Sequence, residues 1–167
     1  MTDSPGRHFA FFTAYTGITN KLTTRAGIRP VYTDGAARRG GLSAVKALWD
    51  TGATMTCIKP ALRERLKMRL LESGGTEIAG IGGRTAAGAT VVNLLVVPGL
   101  EIKNCPVYVI DFPGDAELLI GMNIISKGDF AVCNAGGATS FSFAVPPFPG
   151  RINLEDRAEA ANRRGTL

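Results

Sequence analysis

The feature that most constrains the fold is an apolar run that ends on a carboxylate. Ala47 to Trp49 precede Asp50, and Thr51 and Gly52 follow at once. Such a run predicts a buried β-strand, at whose end an aspartate is costly to keep charged away from water. Gly52 favours a sharp turn directly afterwards. Asp50 is therefore either a turn residue that bonds its own backbone or a carboxylate placed for acid–base chemistry.

Length and composition predict one domain rich in strands and turns. The chain has 167 residues, 45% of them hydrophobic, with 21 glycines and 9 prolines. We expect a disordered tail at 1–8, a single domain at 9–146, and a tail or marginal surface helix at 147–167. No apolar segment approaches the roughly 20 residues that span a bilayer. The expectation is a soluble, cytoplasmic protein with no membrane partner.

Several kinds of catalytic site are excluded by residue counts. Cys57, Cys105 and Cys133 are an odd number without C-x-x-C spacing, which suggests neither a disulfide framework nor a zinc site. His8 is the single histidine, so a Ser-His or Cys-His mechanism has no base in the predicted domain. We therefore expect no metal and no cofactor, and any hydrolytic chemistry must rest on carboxylates.

The net charge of +5 raises the question of nucleic-acid binding. The cations are scattered between a loop (Arg38 and Arg39), a predicted helix (63–69) and the C-terminal segment (Arg163 and Arg164). No aromatic residues alternate with them, which favours a solvated surface. We expect no nucleic-acid partner.

In chain order, the first half reads as strands and one helix. Phe9 to Tyr32 predicts one or two strands, followed by a loop at Thr33 to Gly41. Leu42 to Trp49 is the strand that delivers Asp50, and Met55 to Ile58 predicts a short strand. Pro60 stands where a helix can begin, because the first turn does not need its missing N–H.

The second half predicts a glycine-tipped hairpin and a strand–helix unit. Residues 76–83 suit the mobile tip of a long hairpin because three of the last four are glycines, and the return strand is expected from about Thr85 to Val97. Further strands are expected at 105–110, 117–120, 130–133 and 140–145. Gly121 precedes a short helix that Gly128 is placed to end, and Asn153 is a cap for a C-terminal helix.

Three segments in this order resemble a known family. They are Ala-Leu-Trp-Asp-Thr-Gly-Ala-Thr (47–54), Ile-Ala-Gly-Ile-Gly-Gly (78–83) and Leu-Leu-Ile-Gly-Met-Asn-Ile-Ile (118–125). Together they resemble the retropepsins, the retroviral-type aspartic proteases, and most of all their prokaryotic relatives. The resemblance implies a mainly β, closed β-barrel-like fold with one or two short helices.

The resemblance also implies roles for residues. Asp50 would be the catalytic carboxylate, with Thr51 and Gly52 completing the catalytic loop. Residues 79–84 would form the flap that closes over a substrate, and residues 119–121 would brace the loop. The implied substrate-binding residues are Ala53, Ile78, Ala79, Gly80, Ile81, Gly82, Gly83 and Ile120.

The chain contains one Asp-Thr-Gly, whereas aspartic proteolysis needs two carboxylates. We therefore predict a homodimeric endopeptidase with a polypeptide substrate and one Asp50 from each copy. The alternative is a catalytically inactive retropepsin-like module for dimerisation or peptide binding. One departure stands out: viral members carry an acidic residue and an arginine at the positions of Thr54 and Met122, so both partners of that ion pair are replaced.

Overall fold

The computed structural model describes residues 7–31, 41–71, 76–80, 83–150 and 152–164. The strands are β1 (Phe9–Ala14), β2 (Leu22–Pro30), β3 (Ser43–Trp49), β4 (Cys57–Ile58), β5 (Thr76–Gly80), β6 (Gly83–Val97), β7 (Leu100–Val109), β8 (Leu118–Ile120), β9 (Asp129–Cys133) and β10 (Ser140–Val145). The helices are α1 (Pro60–Arg65), α2 (Met122–Ile125) and α3 (Leu154–Arg164), with a 3-10 turn at Ala135–Gly137.

Six strands close into a barrel. They follow the order β2-β3-β8-β4-β7-β6, and a further pairing of β2 with β6 joins the two ends. β3 with β8 and β4 with β7 are parallel pairs, whereas the other pairs of the barrel are antiparallel. Closure leaves no free edge on these strands. The predicted mainly β, barrel-like fold is confirmed.

The sequence of β3 explains why this segment forms a strand of the barrel. Val45, Ala47 and Trp49 are buried, whereas Ala44 and Lys46 are exposed and Leu48 is half-buried. This alternation is the period of a strand with one face on the core. The strand therefore places Asp50, the residue after Trp49, at the point where β3 ends.

A three-stranded antiparallel sheet, β1-β10-β9, covers one part of the barrel, and we call it the terminal sheet. Phe11, Phe141 and Phe143 of this sheet surround Trp49, with ring centroids 5.4, 6.0 and 5.1 Å from the indole. The indole N–H of Trp49 donates to Thr24 Oγ1 at 2.9 Å. A buried indole needs such a partner. Trp49 thus ties the terminal sheet to the barrel.

Two predicted helix starts are confirmed. Pro60 is the first residue of α1, where Leu62 is fully buried against the core. Asn153 Oδ1 accepts the N–H of Glu155 at 3.0 Å at the start of α3, which is the contact expected of a capping asparagine. Within the described ranges, no helix is long and apolar enough to cross a membrane.

Two predicted boundaries are wrong. Strand β7 begins at Leu100, five residues before the predicted start at Cys105, and Asn104 interrupts it with a φ of 53°. Helix α2 ends at Ile125, so Gly128 is not its cap. A Cβ on Gly128 would lie 2.0 Å from the carbonyl oxygen of Ala144, so this position needs glycine for space. Residues 33–40, most of the predicted loop 33–41, lie outside the described residues, as does Tyr32 before them.

Candidate active site

Asp50 lies half-buried directly after β3. Its backbone N–H donates to the carbonyl of Ile120 at 3.0 Å, and its Oδ1 accepts the N–H of Gly52 at 2.8 Å. The side chain therefore holds the turn that follows it, which is the first of the two roles expected from the sequence. The same bond orients the carboxylate, so the turn role and a chemical role are compatible.

The turn after Asp50 is open to solvent. Thr51 and Gly52 are both exposed, and the N–H of Ala53 donates to the carbonyl of Asp50 at 3.3 Å. A Cβ on Gly52 would lie 3.2 Å from Asp50 Oδ1, closer than most real contacts. Glycine here permits the short distance between the backbone and the carboxylate. We call residues 50–56 the aspartate loop.

A second short segment, made of Ile120 and Gly121 where β8 meets α2, supports the aspartate loop. Ile120 is fully buried in the barrel core, and its carbonyl accepts the N–H of Asp50. A Cβ on Gly121 would lie 2.5 and 2.6 Å from the carbonyl carbon and oxygen of Met55. Gly121 and the aspartate loop are thus in direct backbone contact. Because the Ile120 side chain has no exposed surface, we assign Ile120 to the support of the loop and not to substrate contact.

The segment predicted to form the flap is a hairpin of the backbone. β5 and β6 pair antiparallel, with Ala79 opposite Arg84 and Gly80 opposite Gly83. Ile78 lies on the same strand, whereas the predicted tip residues Ile81 and Gly82 lie outside the described residues.

The electrostatics of the site are visible on Cys57, the first residue of β4. Burial and, secondarily, the negative charge of Asp50 raise the pKa of its thiol to about 11. The thiol is therefore protonated and inert at neutral pH. In the described part of the chain, no group of three or more His, Cys, Asp or Glu residues is placed to hold a metal ion.

The positions of the missing ion pair carry backbone hydrogen bonds. The N–H of Met122 donates to the carbonyl of Ala53 at 2.7 Å, and the N–H of Asn123 donates to the carbonyl of Thr54 at 3.1 Å. Backbone hydrogen bonds therefore connect the aspartate loop to the start of α2 without a charged pair.

Sequence reasoning did not single out two further residues of this region. Thr56 is fully buried at the end of the aspartate loop, and its backbone N–H donates to Asn123 Oδ1 at 2.9 Å. The two residues are 67 positions apart in the chain. The sequence signal that could have found them is Thr56 itself, a threonine among apolar neighbours. A hydroxyl buried with such neighbours requires a hydrogen-bond partner.

The family model described as "Aspartyl protease" matches residues 30–124, which is more than half of the 167 residues. No curated protein matches the chain.

Two aspartic proteases are among the solved structures that are similar to this one. The EIAV protease complexed with the inhibitor HBY-793 is 26% identical with a TM-score of 0.51, covering 68% of this chain and 92% of its own. A retropepsin-like aspartic protease from Rickettsia conorii is 15% identical with a TM-score of 0.55, covering 87% of this chain and 99% of its own. The second likeness concerns the fold alone. The chain thus belongs to the aspartyl protease family, as an aspartic-type endopeptidase of retropepsin-like fold.

Proposed function

We propose that two copies of this chain form a homodimeric endopeptidase in which the two Asp50 carboxylates make one catalytic pair. The observation that carries the proposal is the orientation of Asp50 in an exposed loop, with Oδ1 held by the Gly52 N–H at 2.8 Å. Thr51 and Gly52 are exposed beside it, as expected of a half-site that a second copy completes. A C2 axis near the loop would bring the same residues together twice.

Other aspartates offer no second carboxylate of this kind. Asp115 pairs with Lys46, with 2.6 Å between Oδ2 and Nζ, and Asp129 Oδ2 accepts the N–H of Phe148 at 2.7 Å. Asp34 and Asp111 lack the Thr-Gly that follows Asp50. Support for the dimer therefore comes from the chain's single Asp-Thr-Gly.

The chemistry follows from two carboxyl groups that share one proton, as in aspartic proteases generally. The ionised carboxylate takes a proton from a water molecule, whose oxygen attacks the carbonyl carbon of the scissile peptide. The protonated carboxyl gives its proton to the carbonyl oxygen, forming a tetrahedral diol. Protonation of the leaving nitrogen then breaks the C–N bond and releases an acid and an amine, and the pair regains one proton.

The substrate would bind as an extended strand between the aspartate loop and the hairpin of β5 and β6. Backbone groups at Ala79, Gly80 and Gly83 are the proposed main-chain contacts, and Ala53 in the aspartate loop is a further proposed substrate-binding residue. Ile78 and the tip residues, Ile81 and Gly82, complete the proposed set. A cytoplasmic location and the absence of nucleic-acid and membrane partners stay predictions from the sequence.

Replacing the carboxyl tests the proposal. Asp50→Asn should reduce cleavage of a peptide library roughly 10⁴-fold or more, because the pair loses its ability to activate water. The fold and the dimer should persist, since an amide fits the same space. The matched control is Asp111→Asn, which removes an exposed carboxylate elsewhere and should keep full activity.

Measurements on the wild-type protein also separate the alternative function. A wild-type protein that dimerises and binds peptides but cleaves none would favour the inactive binding module. Full activity in Asp50→Asn would remove the catalytic assignment altogether. Binding of a statine-type transition-state mimic adds a second readout, because an inactive module should bind it poorly.

A further inference from the structure

We propose that Thr56 and Asn123 are positioning residues that fix the aspartate loop onto the start of α2. This inference rests on the proposed catalytic role of Asp50, although neither residue would contact the substrate. Their effect would be transmitted through the backbone of residues 50–56.

The start of α2 donates its N–H groups to the aspartate loop. An α-helix leaves its first N–H groups without partners inside the helix. Here the N–H of Gly121 donates to Thr56 Oγ1 at 3.2 Å, that of Met122 to the Ala53 carbonyl at 2.7 Å, and that of Asn123 to the Thr54 carbonyl at 3.1 Å. The loop therefore caps the helix, and the helix in turn holds the loop.

The Thr56 hydroxyl closes this arrangement. It donates to Asn123 Oδ1 at 2.8 Å while it accepts the N–H of Gly121. Asn123 Oδ1 accepts a second bond, from the backbone N–H of Thr56 at 2.9 Å. We call Thr56, Gly121 and Asn123 the loop brace. Because Thr56 is fully buried, water cannot replace a lost member of the brace.

The loop brace and the backbone hydrogen bonds beside it involve neutral groups throughout. The carbonyls of Ala53 and Thr54, the hydroxyl of Thr56 and the amide of Asn123 are all uncharged. The loop brace occupies the junction where, by the resemblance, viral members carry an ion pair. Its geometry depends on the direction of individual hydrogen bonds, so loss of a single hydroxyl should shift the loop.

A matched network elsewhere in the chain provides a control. Thr139 is 1% exposed, and its hydroxyl donates to Asn134 Oδ1 at 2.7 Å while accepting the N–H of Thr19 at 3.0 Å. The two hydrogen bonds of this hydroxyl match those of the Thr56 hydroxyl. It holds the chain between β1 and β2 against the terminal sheet, and the aspartate loop takes no part in it. We call Thr139, Asn134 and Thr19 the sheet brace.

The test compares Thr56→Val with Thr139→Val. Each change keeps the side-chain shape and removes one buried hydroxyl with two hydrogen bonds. We expect Thr56→Val to lower kcat about 10- to 100-fold with KM changed less than about twofold, because a misplaced carboxylate affects the reacting geometry. Thr56→Ser keeps the hydroxyl and should recover most of the kcat. Thr139→Val should lower the unfolding midpoint and leave kcat within about twofold of wild type.

Three outcomes would overturn the inference. They are wild-type kcat in Thr56→Val, an effect on KM alone, and an equal loss of kcat in Thr139→Val. If Thr56→Val does not fold, Asn123→Ala takes its place with the same expected split between kcat and KM.

Amide hydrogen exchange gives a readout that does not depend on activity. Thr56→Val should speed exchange within residues 50–56, whereas Thr139→Val should speed exchange around residues 15–19. Unchanged exchange in the aspartate loop would contradict the brace even if the wild-type protein cleaved no peptide. A failure of the proposed protease function and a failure of the brace are therefore distinguishable.

Discussion

The loop brace and the sheet brace use the same three groups for different purposes. In each, a buried threonine hydroxyl donates to an asparagine Oδ1, at 2.8 Å from Thr56 and 2.7 Å from Thr139. In each, the same hydroxyl accepts a backbone N–H, from Gly121 at 3.2 Å or from Thr19 at 3.0 Å. The chemistry of the contact is therefore not what distinguishes the two regions.

What differs is the segment that each brace holds. The loop brace fixes the exposed turn that carries Asp50, whereas the sheet brace fixes the connection between β1 and β2. That connection is held further by the backbone: Tyr15 N–H donates to the Thr139 carbonyl at 2.8 Å, and Thr139 N–H donates to the Gly17 carbonyl at 3.1 Å. Equal losses of stability should thus have unequal effects on function. This distinction separates structural residues from positioning residues.

The largest effect in this comparison is expected from two glycines that have no room for a Cβ. In Gly121→Ala the new atom would meet the Met55 carbonyl at 2.6 Å, and in Gly128→Ala it would meet the Ala144 carbonyl at 2.0 Å. Each change should cost about 1–3 kcal/mol or more in the free energy of unfolding. Gly121→Ala should also abolish most peptide cleavage, since it pushes against the aspartate loop.

Thermal unfolding and kcat measured side by side would check this pair. Gly17→Ala is the control, because nothing lies within 4 Å of the added Cβ. A Gly121→Ala protein with normal kcat would show that the aspartate loop tolerates movement. Activity lost equally in both clashing variants would remove the distinction between the two regions.

A smaller effect is expected where the two regions meet, at Trp49. Thr24→Val removes the acceptor of the Trp49 indole N–H. Leaving that donor without a partner should cost about 1–2 kcal/mol of unfolding free energy. Because the chain has one tryptophan, its fluorescence reports unfolding. A denaturant titration followed by this signal measures the change in unfolding free energy. An unchanged midpoint would mean that this bond between β2 and β3 adds nothing to the stability of the fold.

The smallest expected effect is on two buried thiols. The pKa of Cys57 is raised by burial and by Asp50, whereas the pKa of Cys105 is raised by burial and partly lowered by Lys127. Asp50→Asn should therefore speed alkylation of Cys57 at alkaline pH and leave Cys105 unchanged. Exposed Cys133 should react first in both proteins. Equal acceleration of Cys57 and Cys105 would indicate general loosening and not the loss of a nearby charge.

The same shift has a consequence for stability. The folded-state pKa of Cys57, about 11, lies above the ordinary value of 9.0, so its contribution is complete below pH 9 and is lost as the pH rises towards 11. Cys57→Ala should show a weaker fall of unfolding free energy over this interval. Denaturant titrations at several pH values would measure the difference, and identical slopes would contradict it.

Local features of this fold were predictable from the sequence. The apolar run that forms β3, the proline that opens α1 and the asparagine that caps α3 each act over a few residues. The order of the three resembling segments predicted the barrel and placed Asp50 in it. The boundary of β7 failed because Asn104 takes a left-handed conformation inside the strand and donates its N–H to Asn93 Oδ1 at 2.9 Å.

Features that depend on distant contacts were not predictable. Thr56 and Asn123 lie 67 positions apart, and nothing in either local pattern points to the other. Gly128 was assigned to a helix end by local rules, whereas its actual constraint is the Ala144 carbonyl on another strand. The sequence indicated which loop holds the carboxylate, but the residues that hold that loop emerged only from the fold.

Mixing wild-type protein with Asp50→Asn protein tests the shared carboxylate pair most directly. With the wild-type amount fixed and the subunits allowed to exchange, random pairing converts wild-type copies into inactive heterodimers. Peptide cleavage should fall to about half with an equal amount of Asp50→Asn and to about a quarter with a threefold excess. A cleavage rate that stays at its starting value throughout the titration would show that each copy works alone and would contradict the account.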